Sequence, residues 1–256
     1  MFYLGQQAPV SNELVNNLNS MIDSNNFDDL TIKGIENKCK ENAQHDDTGV
    51  THEVLIALYC IRNDINKMKK HYQIAIGISD DLSRTNFNYA IALSASGRKF
   101  EAFKYFQDAV DLDPTNLSML SQLIGECVLT GHFYQAKKLL EEWDSKSPNK
   151  PYASRHKIEQ YYAFMSHHKL TDSNTSAMFK TFLDLSKWDY LNFNPVTAIN
   201  VAQEECDEWL SVVMQIKDKS QDEVMDMNEA LAHSFADDNA QQFLKFPLVL
   251  FYSVAE

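Results

Sequence analysis

The chain has 256 residues, 44% hydrophobic and 23% charged, enough to bury a core in one large domain or two small ones. Its 36 Asp and Glu outnumber 23 Lys and Arg for a formal net charge of -13, which disfavours nucleic acid or an anionic membrane as partner and favours a basic or neutral one. With only 7 Gly and 6 Pro to interrupt it, the chain is expected to build long, mostly helical elements.

Residues 11–23, opening at Ser11 with Leu14, Leu18, Met21 and Ile22, and residues 28–43, with Leu30, Ile32, Ile35 and Cys39, read as a helix pair forming an N-terminal cap over 1–47. Residues 49–82 keep a helical apolar pattern through Leu55, Ile56, Tyr59, Tyr72 and Ala75. In residues 83–116, Tyr89, Ala90 and Leu93, then Ala102, Phe106 and Ala109, lie at the spacings of two amphipathic helices around a turn at Gly97, closed by Asp113-Pro114. Residues 117–150 repeat this, with Leu120, Leu123, Ile124 and Cys127 on the first helix and Phe133, Ala136, Leu139, Leu140 and Trp143 on the second.

After Pro148 and Pro151, residues 153–168 (Ile158, Tyr161, Tyr162, Met165) and 174–188 (Met178, Phe179, Phe182, Leu183, Leu185) read as one more helix pair, a divergent unit over 151–190. Beyond Asn194-Pro195 the period changes. Leu210, Val212, Met214 and Ile216 alternate with polar neighbours as a half-buried strand does, and Val196 to Val201 reads as its pairing strand. Ser220 with Glu223 forms a capping box opening a helix that carries Val224, Met227, Leu231 and Phe235, and Phe246 to Val254 reads as a further strand. Residues 195–256 are thus expected to form a small β(β)αβ unit. Its nearly all-apolar last strand needs cover from the helices or from a second copy, which leaves a homo-oligomer through that strand open.

Gly97, Ala102 and Pro114 recur 34 residues later as Gly131, Ala136 and Pro148. With that period and these residues, the chain resembles the tetratricopeptide repeat (TPR) family over 49–82, 83–116 and 117–150, and more loosely over 151–190. In 49–82, Asn63 stands at the turn glycine and Met68 at the small residue of the next helix. The resemblance implies a mainly α fold, a right-handed α-α superhelix whose first helices line a concave surface, followed here by the small C-terminal α/β unit.

By register with the family, the groove residues are Glu53, Ala57, Cys60 and Ile61; Arg84, Phe87, Ile91 and Ser94; and Ser118, Ser121, Gly125 and Val128. This mixture is apolar with few charges, suited to an amphipathic helix or an extended apolar segment of a protein partner, unless the chain's own terminal segments fill it. One TPR subclass holds the C-terminal carboxylate of chaperones through Lys, Arg and Asn. Here Glu53, Ala57, Ser118 and Gln122 stand at those places and only Asn88 is kept, so that ligand is not expected. In its acidity and apolar groove the chain is similar to the TPR chaperones of bacterial type III secretion, which are shorter and all-helical.

Motifs for chemistry are sparse. The sequence holds neither a G-x-x-x-x-G-K-[ST] nor a G-x-G-x-x-G run, so no nucleotide cofactor is expected. Cys39, Cys60, Cys127 and Cys206 form no CxxC pair and read as small buried hydrophobes of a reducing compartment. His156, His167 and His168 fall on one helix without metal-ligand spacing and read as solvated; no metal site is assigned. The acidic run Glu204, Glu205, Asp207 and Glu208 reads as a solvated turn, and Asp222, Glu223 and Asp226 as complements to a helix N-terminus. Residues 1–9 lack a basic n-region and a long apolar h-region, and no run of about 18 apolar residues occurs, so a cytoplasmic protein outside the membrane is expected.

The leading expectation is a non-enzymatic interaction scaffold, an adaptor or chaperone with no catalytic residues, binding a partner segment in the groove. The alternative places the active surface in the C-terminal unit, as an inhibitory antitoxin- or immunity-like module or a small enzyme, with the repeats as its targeting element.

Overall fold

A computed structural model describes residues 9–23, 27–43, 48–186, 197–204, 207–216, 219–236 and 246–254. The chain is mainly helical, with a small C-terminal sheet. Contacts divide it into two compact units, Met1–Met119 and Leu120–Glu256. The first holds α1 (Pro9–Asp23), α2 (Asp29–Asn42), α3 (Val50–Ile61), α4 (Ile65–Ile78), α5 (Leu82–Ala95) and α6 (Lys99–Leu112). The second holds α8 (Phe133–Lys146), α9 (Arg155–His167), α10 (Asp172–Leu185), β1 (Thr197–Glu204), β2 (Asp207–Ile216), α11 (Gln221–Ala236) and β3 (Leu248–Val254), while α7 (Leu117–Leu129) runs through the division. The division falls inside the expected repeat region, 48–190, and Pro195 lies outside the described residues.

The helix pairs share one turn chemistry. Helices α3, α5, α7 and α9 each end with a residue at positive φ: Asn63 (51°), Gly97 (78°), Gly131 (75°) and Lys169 (54°). At each of them the following residue donates its amide five residues back, Asp64 to Tyr59 O (2.8 Å), Arg98 to Leu93 O (2.9 Å), His132 to Cys127 O (2.7 Å) and Leu170 to Met165 O (2.9 Å). This is the Schellman closure, which ties up carbonyls that the last helical turn leaves bare. Asn63 fills the place of the turn glycine because its short polar side chain tolerates the left-handed region better than most. In each hairpin the next helix begins two residues after its positive-φ position in the first three cases, so α4, α6 and α8 start at 34-residue intervals.

In unit one, consecutive helices pack through small residues facing large ones. Ala90, Ala102 and Ala109 are completely buried beside Tyr89 and Phe106, and Tyr72 stacks on Tyr89 at 4.0 Å while donating its hydroxyl to Asn86 Oδ1 (2.7 Å). Full burial of one such large side chain contributes about 1.5–3 kcal/mol. Asp28, Asp64 and Asp81 cap α2, α4 and α5 by accepting from Thr31 N, Lys67 N and Arg84 N. Helix α1 begins at Pro9, two residues before Ser11, in keeping with proline's fixed φ in a first turn.

In unit two the β(β)αβ expectation holds. β2 lies between β1, antiparallel to it, and β3, parallel to it, with α11 as the crossover. Leu210, Val212, Met214 and Ile216 are buried as the alternation requires. The capping box at the start of α11 is formed by Ser220 N to Glu223 Oε2 (2.8 Å) and Glu223 N to Ser220 Oγ (3.3 Å). Tyr252 stacks on Phe182 at 4.6 Å and donates its hydroxyl to Phe182 O, tying β3 to α10. The outer edge of β3 is met by Asn228, whose side chain bonds Tyr252 N (2.8 Å) and Tyr252 O (2.9 Å). The chain thus satisfies part of the strand edge itself, although Val249, Phe251 and Val254 stay 44%, 38% and 40% exposed. Among the described residues no helix is long and apolar enough to cross a membrane.

Candidate functional site

The groove positions fall into two groups. On α3 and α5, Glu53, Ala57, Cys60, Ile61, Arg84, Phe87 and Ser94 are buried and do not line a solvent-facing surface, while Ile91 is half-exposed. The physical reason is plainest at α3, where every residue is buried: α1, α2, α4 and α5 all pack on it, and Glu53 and Cys60 meet residues of α5.

Glu53 and Arg84 are paired rather than presented. The Glu53 carboxylate accepts from Arg84 Nε (3.2 and 3.3 Å), Thr85 Oγ1 (2.7 Å) and Asn88 Nδ2 (2.7 Å), and Arg84 also donates to Thr48 O (3.2 Å). Burial pushes the Glu53 carboxyl above the usual range, and the Arg84 charge and the Thr85 and Asn88 donors pull against it. Thus Asn88, the one clamp-type residue the chain keeps, is engaged by Glu53. Beside it, Cys60 donates its thiol to Ala92 O (3.2 Å) and Phe87 meets Phe106 edge-on at 5.6 Å.

A second buried cluster joins α2 to α3. Burial alone raises the Glu36 carboxyl, but bonds from Lys40, Tyr59 and Arg62 outweigh it and hold it at about 2. Next to it, His71 is driven down to about 4 by burial, by His52 2.9 Å away and by Lys70.

On α7 the picture changes. Ser118 is exposed, and Ser121, Gly125 and Val128 are half-exposed. In unit two, Gly125, Val128 and Leu129 of α7 form one side of a cavity of about 270 Å³, closed by Tyr152 and Ser154, by Lys157, Ile158 and Tyr161 of α9, and by Ala198, Ile199 and Asn200 of β1. Tyr161 donates its hydroxyl to Ile199 O (2.7 Å) and Tyr152 donates to Ser121 O (3.3 Å), so both phenols brace the walls. A methyl group added at Gly125 meets nothing within 4 Å, so the glycine opens space into the cavity rather than serving a turn. The register with 83–116 pointed to Gly125 and Val128; the α9 and β1 walls were out of reach, because the repeat period fails after Pro148 and strand placement needs tertiary contacts.

The cysteines behave as small hydrophobes. Cys39, Cys60 and Cys127 are buried, and burial drives the Cys127 thiol far above its usual range, which removes it from nucleophilic chemistry. Cys206, Glu205 and Val196 lie outside the described residues. The histidine expectation changes in one respect. His156 sits exposed near the start of α9, far along the helix from His167 and His168, whose rings instead meet Glu208 of β2. Glu208 is therefore not part of a fully solvated turn. Compared with known protein families, curated proteins and solved structures, the chain matches none.

Proposed function

We propose that the chain is a TPR-like, non-enzymatic interaction scaffold, an adaptor or chaperone of the cytoplasm, which holds one apolar side chain of a basic, amphipathic protein segment in the cleft between α7, α9 and β1. The observation that carries this reading is the cavity beside Gly125 and Val128, two positions that the repeat register independently assigns to the partner-facing side of a first helix. Its size suits a single anchor: about 270 Å³, lined by Val128, Leu129, Ile158, Tyr152 and Tyr161, with Lys157 and Asn200 as polar lining residues. The partner's basic character follows from the net charge of -13, which steers cationic segments toward the chain and repels acidic ones. The C-terminal sheet then has a defined part in binding, since β1 supplies one wall of the cleft.

The test is selection from a displayed library of random peptides against the full chain. Selected peptides should share one large aliphatic or aromatic residue flanked by Lys or Arg. Recovery of acidic peptides, or of none that wild-type chain retains in physiological salt, overturns the reading.

A further inference from the structure

We propose that His167, His168 and Glu208 form a zinc-binding site that clips the C-terminal end of α9 to the start of β2. His167 is the last residue of α9 and His168 its C-cap, so the helix stops where two adjacent imidazoles are free to turn to the same side. Both aim at one carboxylate oxygen: His167 Nδ1 lies 3.4 Å and His168 Nε2 3.3 Å from Glu208 Oε2. All three donor atoms fall within 4.8 Å of one another, and no other such trio occurs among the described residues.

The distances fit an ion better than they fit hydrogen bonds. Contacts of 3.3 and 3.4 Å are long for a charge-assisted bond, which runs about 2.7–2.9 Å. Two donors each about 2.05 Å from a tetrahedral zinc stand about 3.3 Å apart, the separation of each histidine nitrogen from Glu208 Oε2, and the two histidine nitrogens lie within 4.8 Å of each other. Two imidazoles and a carboxylate form a borderline donor set suited to Zn²⁺, whereas Ca²⁺ and Mg²⁺ require all-oxygen shells.

The surroundings hold the donors in place without closing the site. The His168 ring packs at 4.5 Å against Phe164 and at 4.6 Å against His167, while Glu208 sits on a strand paired at Gln203. Side-chain exposure falls from 74% at His167 to 23% at His168 and 28% at Glu208, so the ion reaches the site from solvent and keeps a water as fourth ligand. Because the same α9 and the same sheet form the peptide cleft, bound zinc would fix the spacing of its walls. The site itself stands whatever the cleft binds.

The test uses the full, tag-free chain, titrated with Zn²⁺ against a chromophoric chelator, together with Tm measured with and without Zn²⁺. One Zn²⁺ per chain is expected, with a zinc-dependent rise in Tm. His168→Ala and Glu208→Gln should each weaken binding at least tenfold and abolish the rise, and His71→Ala, at the other histidine pair, should leave both unchanged. His167→Ala removes a largely exposed side chain and so cannot fail merely by unfolding; it too should weaken binding at least tenfold. No zinc bound by the wild-type chain, or wild-type affinity in His167→Ala and Glu208→Gln, overturns the proposal.

Discussion

Removing the Glu53 carboxylate separates a binding residue from a structural one. The Glu53 side chain is 1% exposed and that of Arg84 6%, so Glu53→Ala leaves the Arg84 guanidinium charged and buried, and Arg84→Ala strips the buried Glu53 carboxyl of the charge that opposes its burial. Breaking such a pair costs about 3–5 kcal/mol. At a urea dependence of about 1–3 kcal/mol per molar, either single variant should lower the unfolding midpoint by about 1 M or more. Urea unfolding followed by far-ultraviolet circular dichroism, which sees the helices, should report the loss. The double variant should be less destabilised than the sum of the singles by about 0.5–3 kcal/mol, because once one partner is gone the other stands unpaired. Strictly additive losses, or single variants within about 0.5 kcal/mol of wild type, would refute the account of Glu53 and Arg84 as an internal clasp of α3 on α5.

Two further outcomes follow from the same geometry. Gly131→Ala puts a side chain at φ 75°, and its methyl group meets Thr175 C, Thr175 O and Phe179 Cδ2 at 3.0 Å. The left-handed backbone and the overpacking together should cost about 2–4 kcal/mol in thermal or urea unfolding, and a loss under about 1 kcal/mol would contradict the turn. Glu36, held at about 2, ionises more readily folded than unfolded, so it stabilises above pH 4.5 and that contribution is lost as pH falls from 4.5 toward 2. The contribution at pH 7 is about 3 kcal/mol. Glu36→Gln should remove it and flatten the stability profile in that window, and a variant with the wild-type acid slope would show that other carboxylates carry it.

Much of the fold was legible because its determinants are local. Ala90, Ala102 and Ala109 at helical spacing, turn glycines at a fixed period, the Ser220 and Glu223 cap and the alternation from Leu210 to Ile216 each act within one element or one hairpin. The groove was only half legible. Register places Glu53 and Phe87 on the same side of a first helix as Val128, but whether that side meets solvent depends on which helices pack against it, and here α5 and α6 meet Glu53 and Phe87. The adjacency of His168 and Glu208 was invisible for the same reason: 40 residues and a sheet separate them. A polar residue such as Glu53 at a groove position reads as a ligand contact until Arg84, Thr85 and Asn88 are seen to saturate it.

The most direct test of the proposed function fills the cleft from within. Gly125→Phe places a ring on a Cβ that meets nothing within 4 Å, in a helix where replacing glycine costs nothing in backbone terms. Titrated with a library-selected basic peptide, Gly125→Phe should bind at least tenfold more weakly than wild type while its Tm is not reduced. Undiminished peptide affinity in a folded Gly125→Phe chain would place the binding surface elsewhere and contradict the account.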